Sequence, residues 1–225
     1  MKIIAVEDEK DLAESIFTYF NNEGNICEVV NSYEDARAKL NIYEYDCSLI
    51  DIMLPDGNGL DLISEIKEKQ PNCGIILISA KSSLDDKIKG LDLGSDDYLT
   101  KPFYMSELNS RVKSVLRRRF YDGNKSVNFG EIKIFPEEKK AFVYDKEISL
   151  TKKEFDILLY LISNTKRVLT KESIAEHIWG DFADSFDKFD FVYTHVKNLR
   201  KKLSDAGCKD YIKSVYGIGY KLSSE

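Results

Sequence analysis

Along the first half of the chain, short apolar runs take turns with amphipathic stretches. Lys2 to Val6 is followed by Leu12, Ile16, Tyr19 and Phe20 at helical spacing, Cys27 to Val30 by Ala36 and Leu40, and Cys47 to Ile50 by Leu60 to Ile66. The alternation continues through Ile75 to Ser79, Ile88 to Leu93, Tyr98 to Leu99 and the stripe Met105, Leu108, Val112, Val115 and Leu116. Each run predicts a strand and each stripe the helix after it, in five successive units. Strands rich in Ile, Val and Leu on both faces imply a parallel sheet covered on both sides. Ligands of such an α/β sheet bind beyond the carboxyl ends of its strands.

The pattern changes after the last stripe. Arg117 to Lys125 (RRRFYDGNK) is short and polar, with one Gly, and reads as a linker. It divides the chain into residues 1–119, a connection at 120–126, and residues 127–225. Residues 127–150 predict short strands broken at Pro136-Glu137-Glu138 and Asp145-Lys146. Thr151-Lys152-Lys153-Glu154 has the form of a helix capping box. Three helices are predicted around 152–163, 171–178 and 187–203, and Tyr211 to Leu222 alternates around a Gly-containing turn as a hairpin does.

Composition narrows the class. With 225 residues, 43% hydrophobic and 32% charged, 4 Pro and 12 Gly, the chain is long enough for two cores and is neither disordered nor collagenous. Apolar runs such as Gly74 to Ala80 fall far short of the ~20 residues of a membrane-spanning helix. The start, MKIIAVEDE, turns acidic where a signal peptide stays apolar, so no membrane association and a cytoplasmic location are expected. Cys27, Cys47, Cys73 and Cys208 show no metal-ligand spacing and read as buried or idle reduced thiols. Residues 1–121 carry a net charge of −7 and residues 122–225 a net +1, yet Asp187 to Lys202 alone holds +3. An acidic overall balance thus conceals a basic segment.

The polar residues at the strand ends are the candidate chemistry. Glu7 and Asp8 follow the first strand, Asp51 the third, Ser79 the fourth and Lys101 the fifth. A carboxylate trio suits Mg²⁺, a small hard cation that takes oxygen ligands, and its like charges are costly without a cation. A hydroxyl and an ammonium opposite the trio suit the remaining oxygens of a phosphoryl group. In the second half, Val192, Val196, Leu199 and Leu203 form one apolar stripe of the last helix. The opposite face carries Tyr193, Thr194, Lys197, Asn198 and Lys201, a basic and amide-bearing stripe that suits a DNA major groove.

The segments AVEDE (5–9), DIMLPDGNGLD (51–61), LISA (77–80) and GSDDYLTKPF (94–103) resemble the receiver domain of two-component response regulators. LTKKEFDILLYL (150–161), HVKNLRKKL (195–203) and IKSVYGIGYKL (212–222) resemble the winged-helix effector of the OmpR/PhoB class. The resemblance implies a flavodoxin-like, doubly wound, five-stranded parallel sheet followed by an α+β winged-helix domain. It implies a transcriptional regulator with limited enzymology of its own, self-phosphorylation and slow hydrolysis. Asp51 would accept phosphoryl from a sensor histidine kinase. Glu7, Asp8, Asp51 and the carbonyl of Met53 would hold Mg²⁺, Glu7 largely through water. Ser79 is the switch hydroxyl, Lys101 the phosphoryl partner ahead of a cis Pro102, and Tyr98 the switch aromatic.

The same resemblance places Lys87 with Glu107, Asp97 with Arg111 and Asp92 with Lys113 at cross-dimer positions of a phosphorylation-induced homodimer on double-stranded promoter DNA. Arg200 falls at a phosphate-contacting position, with further contacts from Lys213, Ser214 and Lys221. Tyr216 stands where the class often has a minor-groove Arg, which favours backbone contact or stacking there. The segment Gly180 to Asp187 matches the one used toward RNA polymerase. The aromatics Phe182, Phe186, Phe189 and Phe191 are expected to be partly core, His195 structural or a phosphate contact, and His177 a surface residue. Met53 and Lys81 flank the path of the hydrolytic water, and an apolar Met53 predicts a long-lived phosphoryl group. Two other readings stay open at this level. One is a Mg²⁺-dependent phosphohydrolase, which lacks a second acid at Met53; the other is a DNA-binding protein whose first domain only dimerises.

Overall fold

The structure is a computed structural model and describes residues 1–80, 84–165, 167–180 and 189–224. Lys81 and residues 181–188, among them Phe182, Asp184, Phe186, Asp187 and Lys188, lie outside the described residues. The chain forms two compact units, Met1–Gly123 and Asn124–Glu225.

In the first unit, β1 (Lys2–Val6), β2 (Ile26–Val30), β3 (Cys47–Asp51), β6 (Gly74–Ser79) and β7 (Asp97–Thr100) build one sheet in the order β2-β1-β3-β6-β7. All its pairings are parallel. The order reverses beside β1, whose two neighbours are β2 and β3, and this is the switch point at which doubly wound sheets open a crevice. A short antiparallel hairpin, β4 (Met53–Leu54) with β5 (Gly57–Asn58), leaves the sheet just after Asp51.

The unbroken apolar strands are buried on both faces. Ile4, Val6, Ile50, Ile75 and Leu77 face α2 (Tyr33–Ile42) and α3 (Gly59–Lys69). Ile3, Ala5, Leu49, Ile76 and Ile78 face α1 (Lys10–Asn22) and α5 (Met105–Tyr121). Between β6 and β7 lies α4 (Leu84–Asp92). The helix α5 continues to Tyr121, through the first half of the stretch that reads as linker. Arg119 pairs with Asp96 at 2.7 Å and donates to the Pro71 carbonyl, which holds this last turn against the sheet's lower edge. Asp122 and Gly123 then end the helix at φ 49° and 79°.

The second unit starts with a four-stranded antiparallel sheet, β8 (Val127–Phe129), β9 (Ile132–Phe135), β10 (Lys140–Val143) and β11 (Lys146–Ile148). Next come α6 (Lys152–Ser163), β12 (Leu169–Thr170), α7 (Lys171–Trp179), α8 (Asp190–Asp205) and the hairpin β13 (Ile212–Val215) and β14 (Gly219–Leu222). The predicted capping box forms at Thr151 and Glu154. The strand β12, too short to show a period, exists because Leu169 and Thr170 pair with Tyr220 and Gly219. A Cβ on Gly219 would stand 1.9 Å from the Leu169 carbonyl, so only glycine permits that approach.

All four cysteines are buried free thiols, and burial pushes Cys27 and Cys73 up to about 12. His177 is not a surface residue: it is 7% exposed and stacks on Tyr160 with ring centroids 3.8 Å apart. It shares the buried face of α7 with Ile174 and Ile178.

One ionic cluster sits deep in the first unit. Lys2 is fully buried, with its Nζ 2.9 Å from Glu28 Oε1 and about equally far from the rings of Tyr43 and Tyr45 (4.5 and 4.6 Å). Lys39 Nζ and the Tyr45 hydroxyl donate to the other Glu28 oxygen at 2.9 and 2.7 Å. Burial pushes the Glu28 carboxyl up, but Lys2, Lys39 and Tyr45 together hold it below its ordinary value of 4.5. The stability tied to its ionisation is therefore full above about pH 4.5 and fades as pH falls through the lowered folded value. Glu28→Gln, which strands the Lys2 charge, is expected to cost about 3 kcal/mol at neutral pH and to flatten the fall in stability on acidification. Urea unfolding across the acid range checks both.

Candidate functional site

The switch point assembles the acidic residues. Glu7 and Asp8 follow β1, and Asp51 ends the adjacent β3; each offers a carboxylate oxygen, and these lie within 4.8 Å of one another. Glu7 and Asp51 are buried and Asp8 is exposed. Burial, and then the charge of Asp51, pushes the Glu7 carboxyl above its ordinary range, against the pull of Lys101.

Lys101, just past β7, answers this charge. Its Nζ is 2.6 Å from Asp51 Oδ2, 2.7 Å from Glu7 Oε1 and 3.8 Å from Glu9 Oε2. Burial opposes its charge, yet the hydrogen bonds to Asp51 and Glu7 hold the ammonium above the ordinary lysine range. The Lys101–Pro102 peptide bond is cis. Ser79 ends β6 on the same edge and is fully buried; its carbonyl accepts the Lys101 N–H at 2.9 Å.

Two acceptors in this cradle matter for a metal. Asp51 Oδ1 takes the Met53 N–H at 2.8 Å, whereas Glu7 Oε2 is buried and has no hydrogen-bond partner among the described residues. An orphaned carboxylate oxygen next to two further carboxyl groups fits a hard divalent cation. The loop that follows is built close to Asp51. A Cβ on Gly59 would lie 2.0 Å from the Asp51 carbonyl, and Asp56 accepts the Tyr33 and Glu34 N–H groups at 2.7 and 3.0 Å, tying the hairpin to the start of α2. Met53 is 57% exposed beside the site. Glu9 joins the cluster although its spacing gave no separate signal; it belongs to the same acidic run as Glu7 and Asp8.

On the neighbouring face, Tyr98 is half-buried, and Lys87 Nζ lies 5.6 Å from its ring centroid. Arg111 pairs with Asp97 at 3.0 Å and with Glu107 at 2.8 Å within the same protomer. Asp92 is exposed and Lys113 half-buried. Ile88, Leu91 and Leu93 are exposed at 47%, 50% and 41%, an apolar surface beside these charges.

In the second unit, α8 buries Val192, Val196, Leu199 and Leu203. Tyr193, Thr194, Lys197, Asn198 and Lys201 are exposed on its other side, and His195 packs against Trp179 with centroids 5.4 Å apart. Phe189 and Phe191 pack against the domain core. Arg200 bonds to Asp210 at 2.5 Å and to Ser214 Oγ at 3.4 Å, which links the helix to the hairpin. Lys213, Ser214 and Tyr216 are exposed on that hairpin, and Tyr216 at its tip is fully so. Among the described residues, no helix is long and apolar enough to cross a membrane.

A doubly wound sheet with an acidic cluster and a lysine at its switch point, joined to a helical domain with a basic outward-facing helix, defines a receiver coupled to a DNA-binding effector. Residues 3–113 match the response regulator receiver domain family, and residues 145–222 match the C-terminal domain of transcriptional regulatory proteins. The chain is 34% identical to the transcriptional regulatory protein CiaR of Streptococcus pneumoniae, over 99% of this chain and 98% of that protein. It is 33% identical to the alkaline phosphatase synthesis transcriptional regulatory protein PhoP of Bacillus subtilis, over 98% of this chain and 96% of that one. A CheY-like receiver domain protein of Methanospirillum hungatei aligns with 54% of this chain and 98% of its own length, at 25% identity and a TM-score of 0.52. The chain belongs to the two-component response regulators of the OmpR/PhoB class, a family of transcriptional regulators rather than of conventional enzymes.

Lys101 neutralises two buried carboxylates, and its removal leaves them facing each other. Lys101→Met is expected to destabilise the first unit by about 3 kcal/mol, and added Mg²⁺ to raise its melting temperature more than that of the wild type. Thermal unfolding with and without Mg²⁺ measures both effects.

Proposed function

We propose that this response regulator is switched by phosphorylation of Asp51 in the cytoplasm, with residues 1–119 as receiver, 120–126 as linker and 127–225 as effector. The observation that carries the reading is the convergence of Glu7, Asp8, Asp51 and Lys101 on one strand edge. In the reaction, an Asp51 carboxylate oxygen attacks phosphorus, the P–N bond of a phosphohistidine on a sensor histidine kinase breaks, and the imidazole nitrogen keeps the bonding pair. Positioning and charge neutralisation dominate such a transfer, so little covalent work falls to the protein.

Glu7, Asp8, Asp51 and the Met53 carbonyl would hold Mg²⁺, which when bound supplies charge neutralisation at the phosphoryl oxygens. Lys101 supplies a second positive charge, and Ser79 turns its hydroxyl to the acyl phosphate. Tyr98 follows inward. Its movement remodels the face that carries Lys87, Asp92, Asp97, Glu107, Arg111 and Lys113; Arg111, Asp97 and Glu107 exchange their pairing within the protomer for partners across a homodimer, and Lys87, Asp92 and Lys113 join them there. Several exposed pairs together set orientation more than affinity.

Paired effectors then bind direct-repeat promoter DNA. Tyr193, Thr194, Lys197, Asn198 and Lys201 enter the major groove, where the Asn198 amide suits adenine and Lys197 suits guanine or phosphate. Arg200, Lys213, Ser214 and Tyr216 approach the backbone, and the sequence Gly180 to Asp187 is the one that serves the contact with RNA polymerase.

Incubation with Mg²⁺ and a small phosphodonor is expected to add a single phosphoryl group to the wild type and none to Asp51→Asn, and to shift only the wild type to dimer. Intact-mass spectrometry and gel filtration on the same samples read both; unmodified wild type would favour a phosphorylation-independent DNA-binding dimer. The phosphoryl group is further expected to be long-lived because the Met53 side chain offers water no hydrogen bond. Met53→Asn, whose amide can orient water, is expected to shorten the phosphoryl half-life several-fold, and an unchanged decay rate counts against this role.

A further inference from the structure

Lys202 belongs, in sequence, to the basic segment of α8, but its ammonium reaches across to α6 while its side chain stays 37% exposed. Its Nζ lies 2.7 Å from Glu154 Oε2, on the first turn of α6, and the Glu154 side chain is 4% exposed. That same carboxylate oxygen accepts the Thr151 N–H at 2.8 Å, while Thr151 Oγ1 accepts the Glu154 N–H at 3.3 Å. One buried carboxylate therefore closes the N-terminus of α6 and binds the recognition helix. Burial pushes this carboxyl up, but Lys202 and Thr151 hold it below its ordinary value, so it stays ionised and attractive to Lys202 at neutral pH.

Apart from the exposed bonds of Arg200 to Asp210 and Ser214 on the hairpin side, the seat of α8 is apolar. Val192, Val196, Leu199 and Leu203 anchor it through contacts that are not directional, so they resist lifting of the helix more than rolling. A charge-assisted hydrogen bond is directional and short. A roll of about 20° would carry the tip of a side chain on the outer face, roughly 5–6 Å from the axis, by about 2 Å, enough to lose a bidentate base contact.

We propose that Glu154 and Lys202 are positioning residues for sequence recognition: their ion pair fixes the rotation of α8, and with it the direction in which Lys197 and Asn198 meet the base edges. Lys202 then contributes to specific affinity without touching a phosphate. This rests on the reading of α8 as the DNA-contacting helix.

The discriminating quantity is the salt dependence of binding, because each lysine–phosphate contact adds about one to the slope of log K against log salt. The full chain, treated with Mg²⁺ and a small phosphodonor, first enriches a duplex from a random library, and variants are titrated with that duplex and with a scrambled one. Lys202→Met and Glu154→Gln, the latter keeping an acceptor for the Thr151 N–H, are each expected to bind the selected duplex about tenfold more weakly, with the slope and the scrambled-duplex affinity unchanged. The double variant, which strands no charge and so is the safeguard against misfolding, is expected to lose no more than either single one. Lys213→Ala, at a residue placed against the DNA backbone, is expected to lower the slope by about one on both duplexes. A slope lowered by about one in Lys202→Met with Glu154→Gln binding normally would make Lys202 a phosphate contact and overturn the proposal, as would wild-type binding by all three variants. A wild type that enriches no duplex would overturn the DNA-binding reading, and this inference with it.

Discussion

Glu7 and Asp51 place two carboxylates in a buried crevice with one ammonium between them, and the first unit is organised around that charge imbalance. Two negative groups at this depth repel strongly unless a cation shares the space. Lys101 can supply that charge only because β7 lies at the edge of the same sheet, two strands from β3. The strand order, the glycine at 59 and the hairpin held by Asp56 all serve to let backbone and side chains approach Asp51 closely. The buried Glu7 oxygen that has no hydrogen-bond partner among the described residues is the residue of this arrangement, and it is what makes a second, divalent cation chemically sensible.

The second unit solves a different problem with similar means. A helix proposed to read DNA, as α8 is, must be held in one orientation while keeping its outer face free. Its inner stripe buries four aliphatic side chains, its first turns lean on Trp179 and Phe189, and its last turns are held by two ion pairs, Lys202 to Glu154 and Arg200 to Asp210. In both units a capped or glycine-bearing local structure is used twice, once to finish a helix or turn and once to hold a functional element.

Much of this was legible in the residues. The five strand-and-helix alternations, the capping box at Thr151 and the buried stripe of α8 follow from periodicities and local chemistry that need only a few consecutive residues. The strand-end residues Glu7, Asp8, Asp51 and Lys101 were legible as a group because a parallel α/β sheet puts all its strand ends on one edge. Other features were not. The strand β12 and the hairpin of β4 and β5 are two residues per strand, so they exist through pairing rather than pattern. His177 looked exposed because a lone histidine has no period of its own, and only the packing of α7 against Tyr160 shows otherwise. The last turn of α5 reads as linker until Arg119 is seen to reach Asp96 and Pro71.

The sequence by itself determined the class of fold, the family, and which residue types stand at the strand ends and on the outer stripe of α8, because these depend on local periodicity and on short motifs. Tertiary structure alone decided which charges meet. Arg111 pairs with Asp97 and Glu107 of its own protomer, Lys87 lies over Tyr98, and Lys202 leaves the basic face for Glu154. Charge in a sequence carries no direction; a long flexible side chain takes whichever partner the packing of distant elements brings within reach, and only the fold sets that distance.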